Sequence, residues 1–229
     1  MVRFIASAAV ALGGACEFSG TTVDETTIAR VVITDQEGRD WDVTQAVVRY
    51  GFDADRFLFG LGASKFAPFE HPGMAAPGDS GYPESGDGFD VVGLAGAEAR
   101  AYRVDDLLDV EVVDDAIDGA PVAVAIRPLF ADRSPSVHSR VLGADTLTLS
   151  ASGWVYAAQS VLYDLETRSL WYRLDGDERL TCIAGVHFTK HLPPRAFAVE
   201  PWSVWRALHP DSRFMLRPPP GPPIGGGGG

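Results

Sequence analysis

A mostly β fold of the α+β class is predicted: an antiparallel sandwich or partly closed barrel with two or three short helices. Three observations predict it. Short β-branched or alternating runs recur near 89–95, 98–103, 121–129, 136–142, 145–152, 156–165, 169–174, 180–187 and 212–216, the spacing of strands joined by turns. Leu147, Leu149 and Ala151 alternate with Thr146, Thr148 and Ser150, which puts one face on the core and the other toward polar surroundings. Pro121-Val122-Ala123-Val124-Ala125-Ile126 is apolar on both faces and predicts a central strand.

The elements follow in chain order. Arg3, the apolar run Phe4 to Leu12 and the small residues before Cys16 resemble an export signal. The run is too short for a membrane span, which needs about 20 residues. Residues 1–15 are therefore expected to be a signal peptide, with Cys16 as the lipidated first residue of a lipoprotein. Plain secretion and an uncleaved buried strand remain open beside that reading. Residues 16–27 would be a tether, 28–217 one β-rich domain, and 218–229 a flexible Pro/Gly tail. Ile28 to Thr34 predicts a strand, and Glu37-Gly38-Arg39-Asp40 its hairpin turn. Val43, Ala46, Val47 and Tyr50 give a helix one apolar face, with Asp42 as N-cap, Gln45 completing a capping box and Gly51 as terminator. Residues 68–88, with four prolines, predict a long loop packed on the surface. A last helix, about Pro201 to Leu208, should bury Pro201, Val204, Trp205 and Leu208.

Composition bounds the function. The chain has 229 residues, 46% of them hydrophobic, so it can bury a core. Its net charge is −12, which repels phosphate backbones and argues against nucleic acid as a partner. Two cysteines exclude a disulfide scaffold or a multi-cysteine zinc module. No Gly-x-Ser-x-Gly elbow, Walker loop or dinucleotide glycine pattern occurs.

Few side chains invite a chemical role. Cys182, His187 and His191 are weak metal candidates, because a strand followed by Pro193-Pro194 does not hold them on one helical face. Cys182 is expected to be a buried small hydrophobe. Asp164 and Glu166 share a strand face; they could join Arg168 and Arg173 in a charge network, face a ligand, or do acid–base work. His209 closes the last helix, where the dipole favours a cation. Trp154, Trp171, Trp202 and Trp205 are core candidates, and an aromatic-lined pocket is the alternative.

Four segments carry a resemblance. They are Val91-Val92-Gly93-Leu94 through Glu98-Ala99-Arg100-Ala101-Tyr102; Glu111-Val112-Val113-Asp114-Asp115 with Asp118-Gly119-Ala120-Pro121-Val122; Ser152-Gly153-Trp154 into Asp164-Leu165-Glu166-Thr167-Arg168-Ser169-Leu170-Trp171; and Trp202-Ser203-Val204-Trp205-Arg206-Ala207-Leu208-His209-Pro210-Asp211. Over about 60–217 the chain resembles DUF3179, a family of unknown function whose members are commonly exported or lipid-anchored. Many members carry a His before the Glu matched by Glu111, and Cys-Pro-x-Cys after the central strand. This chain has Val110 and Arg127-Pro128-Leu129-Phe130 there. The resemblance thus implies a fold and a location but not that centre's chemistry.

The function expected is a non-catalytic exported binding or scaffold protein without a cofactor. It would act through an unidentified protein or small-molecule partner at the periplasmic or cell-surface side. Its ligand-facing residues would be Asp164, Glu166, Arg168, Trp171 and Trp154, and its contact with membrane would be through a lipid anchor. The alternative is an enzyme or metal-handling protein using residues outside the family's Cys/His set.

Overall fold

The computed structural model describes residues 2–5, 29–85, 88–127 and 133–217. The expected cleavage site, Cys16, the tether, Pro128-Leu129-Phe130 and the Gly-rich tail lie outside them. Strand β1 (Val2–Ile5) pairs antiparallel with β2 (Arg30–Thr34), which pairs with β3 (Asp40–Asp42). Helix α1 (Thr44–Tyr50) follows, then three two-residue strands, β4 (Leu58–Phe59), β5 (Phe69–Glu70) and β6 (Met74–Ala75). Next come β7 (Asp90–Leu94), β8 (Arg100–Arg103) and α2 (Val104–Leu107). Strands β9 (Val112–Ile117), β10 (Ala120–Ala125) and β11 (Ser136–Ser139) precede a small hairpin of β12 (Val141–Leu142) and β13 (Asp145–Thr146). The chain continues through β14 (Leu149–Tyr156), β15 (Gln159–Asp164), β16 (Leu170–Arg173), β17 (Leu180–Ala184) and β18 (His191–Leu192). It ends with β19 (Ala198–Pro201), α3 (Trp202–Leu208) and β20 (Arg213–Met215).

These elements stack as layers, and no sheet closes on itself among the described residues. The sheet β11-β10-β9-β5 lies in the middle. Val122 and Val124 of β10 pack with Val92, Tyr102 and Met215 of the sheet β19-β7-β8-β20-β6. Ala123 and Ala125, on the opposite face, pack with Leu162, Trp171 and Cys182 of the sheet β18-β17-β16-β15-β14-β4. The expected two-faced central strand is therefore present. Each fully buried Val or Leu side chain here contributes about 1.5–3 kcal/mol. The far face of the six-stranded sheet carries Trp154, Tyr163 and Ile183 against Trp41, Val43 and Ala46, so β2, β3 and α1 form an outer layer. Trp202 and Trp205 of α3 cover the other outside face.

Two adjacent carboxylates tie the layers. Asp114 of β9 accepts the Leu149 amide at 2.7 Å on one side and lies 3.5 Å from Arg140. Asp115 accepts the Tyr102 hydroxyl at 2.6 Å and Arg100 at 2.5 Å on the other. Both are buried, where a polar group without a partner would be costly.

Several local expectations are corrected. The buried stripe of α3 is Trp202 and Trp205, while Val204 is 44% and Leu208 65% exposed. Gly93 admits the Trp205 indole: a Cβ there would stand 2.3 Å from Trp205 Cε3. The α1 capping box does not form. Asp42 accepts the Thr44 amide, and Gln45 instead accepts the Gly185 amide at 2.7 Å. The strand expected over 156–165 begins after a hairpin turn at Ala157-Ala158, both at positive φ (42° and 68°), a two-residue geometry usually signalled by Asn-Gly.

Candidate functional site

The most specific motif in the sequence builds a turn. Asp164 Oδ1 accepts the amide and the hydroxyl of Thr167, each at 2.6 Å, and Oδ2 accepts Trp171 Nε1 at 2.8 Å. The Thr167 hydroxyl also lies 2.7 Å from Ser169 Oγ. The Asp164 amide donates to Ser169 O, and the Arg168 amide to Asp164 O. Short polar side chains so placed substitute for backbone partners in a turn. Asp164, Ser169 and Trp171 are all inaccessible to solvent. Glu166, exposed, accepts the Thr148 amide through both oxygens and moors the loop to the start of β14. Strand β15 ends at Asp164, so Glu166 does not share a strand face with it as expected, and the turn directs Leu165 outward at 40% exposure.

What this network presents is Arg168. It sits at φ 58°, a left-handed conformation that costs a side-chain-bearing residue roughly 1–2 kcal/mol. Its guanidinium lies 4.7 Å from the Trp41 ring centroid, a cation–π contact. Trp41 is held by its own indole bond to Asp35, 2.9 Å long. Arg168 and Trp41 border a groove of about 510 Å³ with the Arg30–Asp42 ion pair (2.7 Å), Gln45 and Gly185. Ligand sites fall in the range of about 300–1,000 Å³. The groove joins charged, amide and aromatic groups contributed by β2, β3, α1 and the 164–169 turn.

The sequence-predicted residues separate into different environments. Asp164 and Trp171 bond each other beneath the groove, and only Arg168 reaches it. Trp154 packs edge-on to Phe57 at 6.3 Å in the outer core and borders a separate groove with Leu58 and Phe59. Arg173, considered as a partner for Asp164, stands at the far end of β16 from the turn. Sequence reasoning missed Arg30, Trp41, Gln45 and Gly185. The pattern Asp40-Trp41-Asp42 signals an inward Trp between outward carboxylates, but nothing local couples it to residue 168.

At the opposite end of the sandwich, the Ile126 amide donates to Glu111 O at 2.9 Å. This brings Glu111, next to Val110, beside the end of the central strand that leads to Arg127. Glu111 is 8% exposed with φ 61°. Its carboxyl meets Ser160 Oγ only at 3.4 Å, and burial pushes its pKa up to about 7. Cys182 is fully buried with Sγ toward Ala184 O, and burial raises its thiol to about 12. The His187 ring lies 6.1 Å from the Trp171 ring, tilted by 37°, while His191 Nδ1 lies 3.0 Å from Thr181 Oγ1. No group of three or more metal-ligating side chains gathers among the described residues.

A search of curated proteins and a search of solved structures each found no match to the chain. The matching family pattern spans residues 81–221, well over half of the chain and inclusive of the 164–169 turn. The chain belongs to DUF3179, a family of proteins of unknown function.

Proposed function

We propose that this protein is a non-catalytic binding protein, exported to the periplasmic or cell-surface side, that takes a small polar ligand in the groove beside Arg168. The observation that carries the reading is Arg168 itself, held in a strained left-handed conformation over Trp41 at the groove's rim. Strain maintained by a dedicated bond network is characteristic of functional positions. Of the other groove residues, Arg30 through Gln45 precede the family-matched region, whereas Leu170, Ala184 and Gly185 lie within it. Ligand choice would then depend in part on a segment outside the family-matched region, and the family turn would supply the positioned cation. Two of the side chains suited to chemistry are otherwise occupied. Asp164 holds the turn, and the Cys182 thiol is buried and protonated. Envelope location rests on the signal-like N-terminus.

The test is a two-dimensional NMR titration of labelled protein with a panel of monosaccharides, amino acids and dicarboxylates. At least one class should shift the Trp41 indole and the Gly185 amide together and saturably. Shifts confined to other surfaces, or none with any class, would overturn the assignment.

A further inference from the structure

A second cleft, sharing no residue with the Arg168 groove, lies toward the opposite end of the sandwich. It has a volume of about 440 Å³ and is lined by Ser136, His138, Arg173, Glu178, Arg195 and Phe197. It adjoins a smaller recess that shares Ser136 and Arg173 and adds Gln159 and Ser160. Arg173 ends β16 and is half-buried. Arg195 is placed by its amide bond to Val137 O at 2.8 Å and by the bridge of Pro194 to His138. Most arginines of this acidic chain pair with a carboxylate, among them Arg30, Arg100, Arg140 and Arg179. Among the described residues no carboxylate lies within ion-pair distance of Arg173 or Arg195.

His138 adds a polar acceptor. Its Nε2 faces Glu178 O at 2.9 Å, which makes that nitrogen the donor. The ring is 1% exposed, and Nδ1 is left with a lone pair and no partner. Burial lowers its pKa to about 4, so the ring stays neutral and the positive charge of the cleft comes from the arginines alone. Pro194, Ala196 and the 39%-exposed Phe197 form an apolar wall. Glu178, exposed, is the one acidic residue among those lining the cleft.

We infer that this cleft binds a small organic monocarboxylate, its carboxylate between Arg173 and Arg195 and its apolar body against Phe197. A planar guanidinium matches a carboxylate in two parallel hydrogen bonds, and the wall supplies apolar burial that an inorganic anion cannot use.

The test uses benzoate, benzamide and inorganic phosphate, titrated into the full chain and followed by amide and Phe197 ring shifts. Benzoate should bind saturably at the cleft. Benzamide, of the same shape without the charge, should bind about tenfold or more weakly, as should R173Q and R195Q with benzoate. Phosphate should bind more weakly than benzoate. Arg195 is exposed, so R195Q decides the matter if R173Q disturbs β16. Absence of saturable benzoate binding, equal binding of benzamide or phosphate, or unchanged affinity in R195Q would each overturn the inference.

Discussion

Replacing Trp171 measures how much of the turn rests on the layer beneath it. The indole is fully buried between the middle and six-stranded sheets, and its Nε1 donates to Asp164 at 2.8 Å. Truncation to alanine should cost about 3–5 kcal/mol in lost packing and cavity. It also strips Asp164 Oδ2 of its donor, adding about 1–3 kcal/mol. Domains are stable by only about 5–15 kcal/mol, so Trp171→Ala should stand near the margin of folding. Trp171→Phe separates the two effects. It keeps most of the buried ring and removes the N–H, so about 1–3 kcal/mol should be lost. Urea unfolding monitored by circular dichroism reads both, with the midpoint shifting and the slope unchanged. A Phe variant within about 0.5 kcal/mol of the parent would refute the claim that the Asp164–Trp171 bond secures the turn.

Three other outcomes are expected. Glu111 has a folded pKa of about 7, above the ordinary 4.5, because it is buried. Its contribution is full below the ordinary value and is lost as pH rises through about 7. Stability of the parent should therefore fall from pH 5 to pH 8 more than that of Glu111→Gln; parallel curves would show that Glu111 does not titrate there. Native Cys182, its thiol raised to about 12 and its sulfur buried, should resist iodoacetamide at pH 8 until urea unfolds the protein; rapid labelling of the native state would contradict this. Finally, Cys16→Ser should move the protein from the membrane fraction to the soluble fraction if Cys16 carries the lipid, and an unchanged distribution with residues 1–15 still attached would end the leader reading.

Much of the layering was legible in the residues. The two-faced apolar run at 121–126 marked the central strand because only burial on both sides tolerates it. The turn chemistry of 164–169 is local, because Asp, Thr and Ser at that spacing have backbone amides within reach. Strand β9 was not. Asp114 and Asp115 interrupt it as turn residues would, and their partners Arg100, Tyr102, Arg140 and Leu149 come from other elements. The Ala157-Ala158 turn lacks the usual glycine or asparagine, so its position was masked. The register of α3 depended on the absence of a side chain at Gly93, on a different strand. Of the candidate site, Arg168 was visible locally. Its placement over Trp41, 127 residues earlier by number, is a tertiary fact.

Substitution of Arg168 by glycine tests the central claim most directly. Glycine adopts the left-handed conformation without penalty, which recovers roughly 1–2 kcal/mol. The lost cation–π contact costs about 0.5–1 kcal/mol at an exposed site. Stability in urea should therefore stay level or rise by up to about 1.5 kcal/mol. The Trp41 indole shift produced by the active panel compound should be lost in the same sample. A protein destabilised by more than about 1 kcal/mol that still gives the full Trp41 response would contradict the account, making Arg168 a structural residue rather than the one presented to a ligand.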